Sequence, residues 1–164
     1  MLLFGLTIIA GIVGLVIGST LLNKTKIATV NYELLFNDFN LTKELKIKLE
    51  QTVKKRHDII DSLEIELSNT QKLNQQNEHL AQYYSNKKQE FEQLNQVLTS
   101  TYDNQIWARI NMYLKKYGEN NGYEMILATN NNTVILFGAP SLDITQDVEL
   151  YINECYENGI NTHE

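Results

Sequence analysis

Glycine and proline are missing from the middle of this chain. Of the 8 glycines and 1 proline among 164 residues, none falls between Gly18 and Gly118. These two residues are the main interrupters of helix, so their absence removes every obvious stop signal from that stretch. Cysteine is nearly absent too: Cys155 stands alone, which excludes an intrachain disulfide. Between Ile152 and Tyr156 in a helical pattern it reads as a small buried apolar residue. The 3 histidines, His57, His79 and His163, are far apart and have no acidic or cysteine partner at ligand spacing, so no metal site is expected. A Gly-rich phosphate loop, a Ser/His/Asp set and a pocketed carboxylate pair are all missing. The chain is therefore not expected to be an enzyme, and no catalytic, cofactor-binding or metal-binding residue is assigned.

Positive charge is scarce outside the middle. Residues 41–117 hold twelve Lys/Arg and ten Asp/Glu, a net of +2, while the rest holds two Lys and ten acids, a net of −8. Without a basic face to neutralise phosphates, nucleic acid is excluded as the main partner. Lys54-Lys55-Arg56 is the single basic cluster and reads as a solvated helix face.

What fills the middle is helix. Leu45, Leu49, Val53, Ile60, Leu63 and Leu67 recur at steps of three, four and seven. The stripe thins to Leu73 and Leu80 amid Asn, Gln and Ser, then resumes at Phe91, Leu94, Leu98, Tyr102, Ile106, Ile110, Tyr113/Leu114 and Tyr117. Such spacing means coiled-coil packing, loosened by Arg56, Thr70 and Gln105. An unbroken helix over 41–117 would span roughly 115 Å; a hairpin turning near residues 70–80 gives arms of roughly 50–60 Å. The flanks decide for the hairpin. Lys26–Asn31 and Tyr123–Ala128 both read as strands, and one sheet pairs them only if the helix returns.

Five segments follow. Residues 1–23 are an anchor or signal sequence. Residues 24–40 hold the first strand and a short helix carrying Leu35, Phe36 and Phe39. The arms occupy 41–117, with Asn40 or Thr42 as cap and Glu44 near the positive helix end. Residues 118–157 form a β-hairpin, Tyr123–Ala128 and Thr133–Phe137 about an asparagine turn, then a terminal helix. Asp143 is expected to cap that helix, with Gln146 completing a capping box; the helix buries Val148, Tyr151/Ile152 and Cys155. Residues 158–164 are a polar tail. The fold class is α+β: a small antiparallel β body, a long helical coiled-coil hairpin and an N-terminal transmembrane helix. So small a body is expected to complete its core by oligomerising.

Leu2 to Leu22 carries no charge and is rich in Leu, Ile, Val and Gly. A helix of that length spans about 31 Å, matching the hydrocarbon core. No Lys or Arg precedes the run, and it exceeds a usual signal h-region, which favours an anchor. Val16 and Gly18 keep cleavage open as the alternative. Lys24 and Lys26 follow the span, a weak vote for a cytoplasmic soluble part. Asn40-Leu-Thr42 and Asn131-Asn-Thr133 match a glycosylation pattern by composition alone and are discounted.

In its order of elements the chain resembles the Skp/OmpH family of periplasmic chaperones. The matching stretches are Lys26-Ile-Ala-Thr-Val-Asn-Tyr-Glu-Leu-Leu-Phe36, Tyr123-Glu-Met-Ile-Leu127, Val134-Ile-Leu-Phe137 and Leu142-Asp-Ile-Thr145, with Tyr151-Ile-Asn153 and Tyr156 at the end. The resemblance covers roughly residues 26–157. It implies a homotrimer whose strands pool into a small barrel, with three hairpins as tentacles. Unfolded outer-membrane proteins are held between them without ATP. It further implies a periplasmic soluble part, anchored at the inner membrane or released after signal cleavage. Tyr83, Tyr84 and Phe91 are then the candidate client contacts, with hairpin closure as the other reading of the tyrosine pair. Ile27, Val30, Ile126 and Leu136 are the candidates for body core and trimerisation. Trp107 reads as packing near the body, with client contact as the other reading. The rival class is a membrane-anchored coiled-coil stalk, which leaves the strands unexplained.

Overall fold

A computed structural model describes residues 25–72, 77–129, 135 and 137–159. In chain order these form β1 (Ile27–Asn31), α1 (Tyr32–Asp38), α2 (Asn40–Lys72), α3 (Glu78–Asn120), β2 (Met125–Thr129), a 3₁₀ turn (Pro140–Leu142) and α4 (Thr145–Glu157). The expected anchor and Leu136 lie outside the described residues, as does most of the second strand of the expected β-hairpin. No helix among the described residues is long and apolar enough to cross a membrane.

α2 and α3 pack together as the two legs of a hairpin. At 33 and 43 residues they reach about 50 and 65 Å. The second leg runs straight through Gly118. There the helix passes so close to the sheet that an added Cβ would meet Ile126 Cδ1 at 3.3 Å. It ends at Asn120 with Asn121 as its cap, and the next residue, Gly122, has a φ of +68°, the left-handed conformation that lets a helix end turn back on itself. The Tyr123 amide donates to the Gly118 carbonyl at 2.9 Å, closing that turn.

β1 and β2 pair in parallel, Ile27 opposite Met125 through Asn31 opposite Thr129. This corrects the expected antiparallel body as far as these two strands are concerned. Parallel neighbours need a long crossover, and here the whole helical hairpin is the crossover. A parallel bridge from Thr29 to Asp143 adds the loop before α4 to the other side of β1.

The core sits where the hairpin meets the strands. Val30, Leu35, Phe39, Ile106, Ile110, Tyr113, Val148 and Ile152 are each buried to within 2% of completely. Phe39 meets the rings of Tyr113 and Tyr156 edge-on at 6.3 and 5.5 Å, an arrangement aromatic pairs favour. Asn31 caps α1 by accepting from the Leu34 amide at 3.1 Å. Asn40, expected to cap α2, is instead tied to α4: its amide donates to Asn153 Oδ1 at 2.8 Å and its side chain to Glu157 Oε1 at 2.6 Å. Thr42, the other candidate cap, is fully buried with no hydrogen-bond partner for its hydroxyl. At α4 the cap position falls on Ile144, one residue later than expected. Asp143 nevertheless accepts from the Thr145 amide at 2.9 Å, and the Thr145 hydroxyl oxygen accepts from the Asn31 amide at 2.7 Å. The end of β1 is thus fastened to the start of α4.

Candidate functional site

Among the described residues no group of His, Cys, Asp and Glu is placed to hold a metal ion, and His57 lies beside Asp61 one helical turn on, at 3.1 Å. What the fold does present is a pair of long arms rooted in a dry body. The root is aromatic. Trp107 of α3 stacks on Tyr32 at 3.9 Å with planes 9° apart and lies 4.6 Å from Phe36. Tyr32 donates from its hydroxyl to Asn111 Oδ1 at 3.1 Å. Trp107 therefore packs at the base of the arm.

A second fastening joins the arm to the terminal helix. The Tyr156 hydroxyl donates to Glu44 Oε2, whose other carboxylate oxygen takes Lys48 one turn along α2. The ammonium of Lys48 and the phenol hold the Glu44 carboxyl below its ordinary value. The hydrogen bond to Glu44, with burial added, pushes the Tyr156 phenol up to about 12.

Beyond the root the seam is wet. Among the described arm residues from 46 to 104 only Ile60 counts as buried, at 9% exposure. Arg56 reaches across and donates to Asn95 Oδ1 at 2.5 Å. The Phe91 ring lies between two cations, 5.9 Å from the Arg56 guanidinium and 5.5 Å from the Lys87 ammonium. A cleft of about 250 Å³ opens here, walled by Val53, Ile60 and Phe91. A half-buried cation held by an amide and a ring is a poor zipper element; it keeps the legs in register without gluing them.

The structure separates the three candidate contacts. Tyr83 is exposed, whereas Tyr84 and Phe91 are half-buried along the seam. Leu94, expected in the seam, is 41% exposed, and Ile59 and Val97 carry open apolar surface as well. Neither Ile59 nor Val97 was singled out from the apolar stripe. Val97 stands three residues after Leu94 and Ile59 four before Leu63, but the stripe takes their neighbours Leu98 and Ile60, and only a full helical projection separates the two faces. Of the four body candidates, Val30 is buried, Ile126 half-buried and Ile27 exposed on the sheet with Met125 and Leu127. Cys155 is buried in the core.

The family model described as "Outer membrane protein (OmpH-like)" matches residues 26–149, which takes in both strands, both arms and the first residues of α4. No curated protein matches the chain.

Proposed function

The chain belongs to the OmpH-like family, whose members are periplasmic chaperones and not enzymes, and from that premise we propose that it is an ATP-independent holdase for unfolded outer-membrane proteins. Three copies assemble through the sheet, their arms enclose the client, and the N-terminal segment holds the assembly at the inner membrane with the arms in the periplasm.

The observation that carries this reading is the contrast along the hairpin: arms of about 50 and 65 Å with almost no buried side chain among the described residues beyond their root, carrying scattered open apolar residues among mixed charges. Such surfaces make many weak contacts, and weak contacts in number hold a chain firmly yet release it piece by piece. Unfolded β-barrel chains are the clients that need this, since their exposed apolar strands aggregate through their edges. Assembly is supported by the sheet. Two strands alone are marginal, and Ile27, Met125 and Leu127 leave them with open apolar surface that neighbouring copies would cover. A plain stalk has no use for paired strands.

The test is light scattering on residues 24–164, alone and after a urea-denatured outer-membrane barrel is diluted in. A trimer that keeps the client in a discrete complex without nucleotide is the expected result. A monomer or extended dimer that leaves the client to precipitate overturns the proposal.

A further inference from the structure

The open apolar residues of the arms are not scattered at random around the two helices. At about 100° per residue, the seam side of α3 is marked by the partly buried Tyr84, Phe91, Asn95 and Leu98. Tyr83, Leu94 and Val97, exposed by 45%, 41% and 61%, project between about 70° and 130° from that line, all with the same sense of rotation. On α2 the seam runs through Val53, Arg56, Ile60 and Leu67. Ile59, 49% exposed, lies off it with that same sense.

The two legs are antiparallel, so rotation of one sense, viewed down each helix from its own start, leads to one common face of the hairpin. The Arg56–Asn95 bond fixes the levels of the legs and puts Ile59 within about one turn of Leu94. Ile59, Tyr83, Leu94 and Val97 therefore form one patch. The opposite face, with His57, Lys88 and Glu92 beside the cleft, has no exposed large apolar side chain among the described arm residues. The remaining two, Ile47 and Ile65, project from the back of α2, away from the seam.

We infer that this patch is the client-bearing wall of the arm, and that its occupant is an extended apolar segment of an unfolded membrane β-strand. The inference rests on the holdase reading and names the surface that performs it. Two features choose the occupant. Four partly exposed side chains offer on the order of a few hundred Å², short of the roughly 800 Å² per partner that a standard lasting interface buries, so a second copy of the chain is a poor fit and a transient guest a good one. The spacing also suits extended chain. Tyr83 to Val97 spans about 21 Å along the helix, the reach of about six or seven extended residues, less than one membrane-spanning strand. Charge on this face is mixed, with Lys55 and Lys87 against Glu66 and Glu90, so apolar contact supplies the grip. Tyr84 and Phe91 then hold the legs together and touch the client little.

The test uses the full chain in lipid nanodiscs, with empty discs as blank and a urea-denatured outer-membrane barrel as client. Capture by the unaltered protein is measured first; its absence would sink the holdase reading itself. Given capture, Ile59→Ser/Tyr83→Ser/Leu94→Ser/Val97→Ser is expected to weaken it by about tenfold or more, while Ile47→Ser/Ile65→Ser leaves it within about twofold. Equal losses in the two variants, or no loss in the first, would overturn the inference. So would a change in the mass of the first variant without client, since the patch would then serve a second copy. A photo-cross-linker at position 94 or at position 47 of the otherwise unaltered chain guards against misfolding of the variants. Client adducts are expected from 94 only, and adducts from 47 alone would contradict the assignment.

Discussion

Body and arms are built to opposite specifications from one sequence. In the body, Tyr113, Phe39, Ile110 and Val148 are buried to within 1% of completely, and backbone donors at Asn31 and Asn40 are satisfied by side chains of α4 from across the fold. In the arms a hairpin longer than the body has Ile60 as its one buried residue beyond the root among those described, and a guanidinium lies where a leucine would zip. Dense packing gives a body with a single arrangement. Loose packing leaves arms able to spread around guests of different size. The difference teaches that long helical hairpins need not be stable coiled coils; the body supplies the cooperativity, and the arms inherit only enough of it to stay paired.

That division is open to breakage, starting from the body. Tyr113→Ala removes a fully buried ring against Phe39 and should cost about 3–5 kcal/mol, seen as a large fall in the thermal midpoint. Leu98→Ala, half-buried in the middle of the arm, should cost no more than about 1 kcal/mol of global stability, because the seam there is already partly open. If the two losses were equal, the contrast between body and arms would collapse. Between them lies Thr145→Ala, which strips the Asn31 amide of its acceptor and should cost about 1–2 kcal/mol in denaturant melts.

The smallest effect is read from pH. Tyr156 has its phenol held up, to about 12 from an ordinary 10.0, first by the Glu44 hydrogen bond and then by burial. A raised folded value means the contact's contribution is whole below about pH 10 and drains away between pH 10 and 12. Glu44 is lowered from its ordinary 4.5, by Lys48 and then by Tyr156, so its contribution holds above that value and fades as pH falls below it. Tyr156→Phe should make the alkaline limb of the stability profile shallower, leaving the share of Tyr151, whose phenol burial also pushes up to about 12, and most of the acid limb, which Lys48 sustains. A variant whose alkaline limb stayed as steep would place the titration elsewhere.

How far these features can be read from sequence depends on how local their causes are. The strand at Ile27–Asn31, the short helix after it and the two long legs follow from β-branched runs, periodicity and the missing breakers. Gly118 is read most easily as a helix end, yet the helix passes through it and the chain turns at Gly122; the small residue at 118 instead lies close under Ile126, whose Cδ1 an added Cβ would meet at 3.3 Å. The parallel sense of the strands is not a property of either strand, since it depends on how the hairpin returns to the sheet. Asn40 reads as a cap by type but is claimed by Asn153, more than a hundred positions away. On the arms, three-and-four spacing finds the seam and misses the flank. Leu94 fits the stripe in sequence and lies outside it in space, and Ile59 and Val97 go unseen.

Hydrogen–deuterium exchange on the full chain in nanodiscs, with and without an unfolded barrel client, tests the central claim most directly. Without client, the amides of α4 and of α3 around Ile106–Tyr113 should exchange orders of magnitude more slowly than those of 55–72 and 78–100. With client, only the arm segments should slow. Arms as protected as the body, or a client that slows the body and leaves the arms unchanged, would contradict the account.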